Sequence, residues 1–190
     1  MKRSIVPAIA IYFLFAALLP GPARAGVTAG VEMPDSVLVE RGMLRLNGMA
    51  LYRRFVVRVL VGGLYLNGTQ HDADTILGAD SPRRLVMHFL RNVGANKIQE
   101  AWGKGLDENT PNAGADVRAQ FQTFGGWLRD FHRGDEITVT YLPGEGSTVE
   151  INGVSVGALK GKGFADAYFA LALGPKPSLG KKFKRRLLGN

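Results

Sequence analysis

The chain reads as an α+β domain in which a large antiparallel sheet carries a layer of helices on one face. Three observations predict this. Segments patterned as strands and as helices come in blocks (strands, helices, strands, helices) rather than alternating one by one, which is the order expected when helices gather on one side of an antiparallel sheet. Phe55 to Leu66 (FVVRVLVGGLYL) is apolar throughout except for one arginine, as a strand covered on both faces must be. Glu136 to Leu159 holds three short strand signals, the last two joined by Asn152-Gly153, a two-residue hairpin turn.

Taken in order, Met33-Pro34-Asp35 is a turn and Ser36 to Val39 a short strand. Met43 to Leu46 follows as a second strand, with Asn47-Gly48 expected to turn the chain. The long strand then closes at Asn67-Gly68. Asp72 is placed to cap a short helix ending at Leu77. Arg83 to Leu90 is another strand. Ile98, Ala101, Trp102, Gly105 and Leu106 recur at helical spacing, so a helix is predicted over Ala95 to Glu108. A second runs from Ala115 to Phe131, with Gly125-Gly126 expected to break or kink it. Glu136 to Leu142 alternates with period two, and Ser147 to Ile151 and Val154 to Leu159 complete a meander. Phe164 to Leu173 is an apolar helix stopped by Gly174-Pro175, and Leu179 to Leu188 a last amphipathic one. No repeat or linker divides residues 26–190, which read as one domain.

Composition narrows the chemistry. With 46% apolar and 21% charged residues the chain is globular. Its net charge of +8 draws on a cluster at Lys181, Lys182, Lys184, Arg185 and Arg186, a solvated basic tail without a nucleic-acid-binding motif, so no nucleic-acid partner is expected. The absence of cysteine excludes disulfides, thiolate metal sites and thiol nucleophiles. His71, His88 and His132 lack metal-ligand spacing, and no metal is expected.

The first 25 residues read as a secretory signal peptide: basic Lys2-Arg3, an apolar run from Ile5 to Leu19, a Pro20-Gly21-Pro22 break and a small-x-small Ala23-Arg24-Ala25 cleavage site. The apolar run is shorter than the roughly 20 residues a spanning helix needs. Cleavage after Ala25 is expected, leaving a periplasmic or secreted protein with no stable membrane insertion.

Several segments, in shared order, resemble the chalcone isomerase-like family, and especially its bacterial exported branch. They are Val31-Glu32-Met33-Pro34-Asp35, Leu46-Asn47-Gly48-Met49, Gly62-Gly63-Leu64-Tyr65-Leu66 and Arg83 to Leu90. Trp102 with Gly105-Leu106, Tyr141-Leu142-Pro143-Gly144, Asn152-Gly153 and Phe164 through Pro175 continue the series, so the resemblance spans Val31 to Leu188. It implies an open-faced β-sandwich with a cleft between sheet and helices, and no cofactor. It also implies either ring closure of a chalcone by intramolecular oxa-Michael addition or, in other members, fatty-acid binding.

The isomerase reaction needs donors and a cation aimed at developing enolate charge. At the positions where the plant isomerases carry arginine, threonine, tyrosine, asparagine and a last hydroxyl, this chain places Tyr52 (with Arg53 beside it), Leu60, Ile98, Gly105 and Leu171. Losing one such donor typically costs about 10²–10³ in rate, so chalcone isomerase activity is not expected, and no catalytic residue is assigned.

Five residues are candidates for ligand contact. Arg58 interrupts the apolar strand on the side of Leu60 and Leu64, either as a carboxylate anchor or as a charge paired internally or reaching solvent. Arg53, with Arg54, stands at the strand mouth, as a steering charge or an ordinary surface residue. Tyr65, His88 and Trp102 either meet a ligand or pack in the core. The function expected is binding of a fatty acid or other apolar small molecule. The alternative is a cofactor-independent intramolecular lyase acting on another enone through Arg53, Tyr65 and His88.

Overall fold

The computed structural model describes residues 25–190. The expected signal peptide therefore lies, save for Ala25, outside the described residues. A small hairpin comes first, β1 (Ala25–Thr28) and β2 (Val31–Pro34), turning at Ala29-Gly30. The main sheet has seven strands: β3 (Ser36–Val39), β4 (Gly42–Arg54), β5 (Val57–Leu66), β6 (Arg83–Phe89), β7 (Glu136–Leu142), β8 (Gly146–Ile151) and β9 (Val154–Leu159). They lie in sequence order, every neighbouring pair antiparallel. Five helices complete the described residues: α1 (Ala73–Gly78), α2 (Ala95–Asn109), α3 (Ala115–Trp127), α4 (Lys162–Leu173) and α5 (Lys181–Leu187).

The helices fill one face of the sheet, as expected. α4 is buried along nearly its whole length, which is why Phe164 to Leu173 is apolar all round instead of in a stripe. Trp102 of α2, Phe124 of α3 and Tyr168 of α4 interlock: Trp102 and Phe124 stack at 4.9 Å, and Tyr168 meets both edge-on at 5.7 and 5.5 Å. On the opposite face Val31 and Met33 pack with Leu44, Val61, Tyr65 and Val86. β5 is thus covered on both sides, and its paired glycines serve one face each. A side chain at Gly62 would strike Phe183 of α5, and one at Gly63 would strike Met33 of β2.

Three expectations are corrected. Asn47-Gly48 does not turn the chain, because β4 runs straight through it with a bulge between Leu46 and Gly48. The pair instead docks the carboxyl terminus: Asn47 donates to the carbonyls of Gln70 and Leu187, and the bare Cα of Gly48 admits the backbone of Arg186 and Leu187. The hairpin turn falls at Phe55-Val56, two residues without glycine, where the expected strand was to begin. Finally, α3 ends at Trp127 rather than continuing to Phe131, with the Leu128 N–H closing on the Gly125 carbonyl.

Asp72 caps α1 as expected, accepting from the Thr75 N–H at 3.1 Å. The basic tail is only partly solvated, since Phe183 and Leu187 of α5 are buried.

Candidate functional site

At the end of the sheet marked by the β4–β5 hairpin, the helical layer stands away from the strands and leaves a cleft of about 490 Å³, within the usual range of small-molecule sites. Its floor is Leu60, Met87 and Phe89 from β5 and β6, and its roof Ile98, Ala101 and Trp102 from α2. Tyr52, Phe55 and Val57 of the hairpin form one wall, and Leu179 closes the inner end. The polar groups sit around this apolar interior: Arg54, Arg91, Asn92 and Lys97, with Ser178 beside Leu179.

The cations at the opening are exposed. Among the described residues neither Arg54 nor Arg91 enters an ion pair, and Lys97 has only the exposed Glu100 at 3.3 Å. The Ser178 hydroxyl oxygen is buried and has no hydrogen-bond partner among the described residues. It occupies space that a side chain at Gly105 would need. A second groove of about 460 Å³ lies between α2 and α3 and shares Trp102, but its charged residues, Arg118 and Asp107, neutralise each other at 2.8 Å. Among the described residues no group of three or more His, Asp or Glu is placed to hold a metal ion.

Of the five candidate residues, the structure brings only Trp102 to the cleft. The fate of Arg58 has a clear cause. Tyr52 is opposite Leu60, yet Arg53 is opposite Arg58, so Val59 is an extra residue in β5. A bulge of this kind resets which side chains face which way. Val57 and Val59 consequently line the cleft with Leu60, while Arg58 leaves the face of Leu60 and stands exposed. Arg53 goes with it, its neighbours Tyr52 and Arg54 taking the cleft side. Tyr65 belongs to the opposite face, where its hydroxyl donates to the Pro34 carbonyl at 3.0 Å and burial pushes its pKa up to about 12. His88 pairs in register with Val61 and so shares that face, half-buried, its Nδ1 3.8 Å from Glu136. The proposed grouping of Arg53, Tyr65 and His88 is therefore split between a hairpin end and the far side of the sheet.

The buried arginine of this fold is Arg83. It is fully enclosed, donating to the Ile76 carbonyl and Asp166 between the rings of Tyr141 and Phe169, about 5 Å from each. Lys162 completes the network on Asp166 at 2.7 Å. Its Nε is left without a partner among the described residues, but the side chain is fully enclosed and lines neither the cleft nor the second groove.

Arg54 was legible only as one of two arginines at a strand mouth, and Arg91 was not singled out. The signal that separates Arg54 from Arg53 and Arg58 is alternation counted from the true turn. Ser178 carries no sequence signal, because its hydroxyl is made relevant by the space at Gly105 on another element.

The isomerase positions can now be located. Tyr52, Leu60 and Ile98 all line the cleft, and Gly105 and Leu171 adjoin Ser178 just behind it. The pocket is in the place expected of the fold, with apolar side chains at its strand and helix positions.

Among solved structures, a fatty-acid binding protein from Arabidopsis thaliana superposes with a TM-score of 0.68 over 87% of this chain and 96% of its own, at 20% sequence identity. No curated protein sequence matches this chain. The family model described as chalcone isomerase-like matches residues 25–189. With that match spanning every strand and helix of the domain, the chain belongs to the chalcone isomerase-like family.

Proposed function

We propose that this protein binds a fatty acid, or another apolar small molecule with an anionic head, in the cleft between sheet and helices, and that it does not cyclise chalcones. The observation that carries the reading is the division of the cleft into an apolar interior and a rim of unpaired arginines, Arg54 and Arg91. An acyl chain gains about 25 cal/mol for each Å² of apolar surface it removes from water. A carboxylate left at the rim keeps its hydration while meeting guanidinium groups suited to it. The solved relative titled as a fatty-acid binding protein supports this class of ligand.

Leu60 and Ile98 support the non-catalytic part. Neither side chain donates a hydrogen bond to an enolate, and a reaction of this kind draws on such preorganised donors. Delipidated protein titrated calorimetrically with saturated fatty acids of increasing length is expected to bind one equivalent, with an optimum in chain length. Folded protein that gives no heat and displaces no fluorescent fatty acid at any length would reject the proposal.

We further propose that the chain is exported, with residues 1–25 removed. The basic, apolar and small-x-small segments support this, and cleavage there would leave Gly26 to Thr28 to pair with β2. Amino-terminal sequencing of protein from the host envelope is expected to begin at Gly26. An intact Met1 would refute it.

A further inference from the structure

The hairpin that walls the cleft ends in an apolar tip that no other described residue covers. Phe55 is 91% exposed and Val56 88%. Phe55 also holds a left-handed backbone with φ of 55°, which is unusual for a bulky residue, and its ring gains little packing within the protein in return. The flanking sequence is Arg53-Arg54-Phe55-Val56-Val57-Arg58, all six exposed. Alternation along β4 puts Arg53 and Arg54 on opposite sides of the hairpin, and the bulge at Val59 puts Arg58 on the side of Arg53, so cations stand on both sides of the tip. None of the three is in an ion pair among the described residues. From Arg41 to His71 the chain carries no carboxylate at all.

We infer that this hairpin tip docks the protein on the surface of a membrane containing anionic phospholipid. Phe55 and Val56 would enter the boundary between headgroups and acyl chains, and Arg53, Arg54 and Arg58 would remain at the phosphates. Charge complementarity selects this occupant. A protein interface of standard size excludes charge from its centre and buries about 800 Å² on each side, whereas here two apolar side chains are ringed by arginines. A bilayer surface takes this arrangement directly, since aromatic groups settle in the interface and basic groups are drawn to the anionic leaflet. Phe55 and Arg54 also line the cleft, so docking by the tip turns the opening toward the leaflet. An apolar ligand then passes between them with little exposure to water.

The absence of cysteine provides the test. In the full chain, Phe55→Cys and, at the other end of the β5 strand, the exposed Thr69→Cys each carry one environment-sensitive fluorophore. The label at 55 is expected to shift to the blue with vesicles of phosphatidylcholine mixed with phosphatidylserine, and not with phosphatidylcholine alone, while the label at 69 stays in water. Adding Arg53→Gln and Arg58→Gln should weaken binding about fivefold per arginine, about 25-fold together, and raised salt should weaken the parent protein likewise. A label at 55 that stays in water, or that responds equally to both vesicle types, overturns the inference. So does an equal response at 69, which would mean attachment through another segment, or a shift with protein concentration alone, which would place a second copy on the tip. No fatty acid is added, so the result is independent of ligand binding in the cleft.

Discussion

Replacing Arg54 and Arg91 together by glutamine should weaken binding of a long-chain fatty acid by up to about 30-fold and leave its methyl ester almost unaffected. Both guanidinium groups are exposed at the rim and engaged with no carboxylate among the described residues. An ion pair formed there is open to solvent, and exposed pairs contribute at most about 1 kcal/mol each. Two such contributions make about 2 kcal/mol, which is about 30-fold in Kd. Lys97 remains as a third cation, so loss of affinity should be partial. The ester keeps the chain and loses the charge, so its affinity reports the apolar interior alone. The assay is displacement of a fluorescent fatty acid at low and high salt, with acid and ester run against both proteins. Parent protein should prefer the acid by a similar factor, and salt should erode that preference. If the double variant binds the acid as tightly as the parent does, or loses acid and ester equally, the assignment of the rim as the head-group site is wrong.

Other outcomes follow from the scaffold. Arg83→Met should destabilise the fold by about 3 kcal/mol, the low end for breaking a buried pair, because Asp166 keeps Lys162 and is partly exposed; the urea midpoint should fall with the slope unchanged. Asp135 accepts from the His132 backbone N–H, the Asn152 side chain and Arg129, and these contacts hold its carboxyl well below the usual carboxylate range. Its contribution to stability is present above the unfolded value of about 4 and is lost as pH falls through the lower folded value. Asp135→Asn should therefore cost about 1–2 kcal/mol at neutral pH, and its deficit against the parent should shrink in acid, as followed by thermal unfolding at stepped pH. Gly62→Val places a side chain against the Phe183 ring. It should cost about 1–3 kcal/mol and speed proteolysis at the basic residues of α5.

Element types were legible because each segment keeps the period of its secondary structure. β7, β9 and the Asp72 cap needed no tertiary information, for alternation, the Asn152-Gly153 turn and a capping carboxylate are local signals. The two turns misread show where local signals fail. Asn47-Gly48 has hairpin composition, yet what it meets is a helix arriving from the far end of the chain. Phe55-Val56 has no turn composition and became the turn because its flanking strands pair.

By itself the sequence determined the fold class and the family likeness. It also determined the apolar character at Leu60 and Ile98, since hydrophobic period and residue identity survive any small error of placement. Only the tertiary structure decided which charges face the cleft. For Arg58 that choice rests on one extra residue at Val59, and side chains of a strand alternate, so a shift of one position moves an arginine from one face of the sheet to the other. The cleft itself is likewise a property of how far α2 stands from β5 and β6, a distance set by packing among residues remote in the chain.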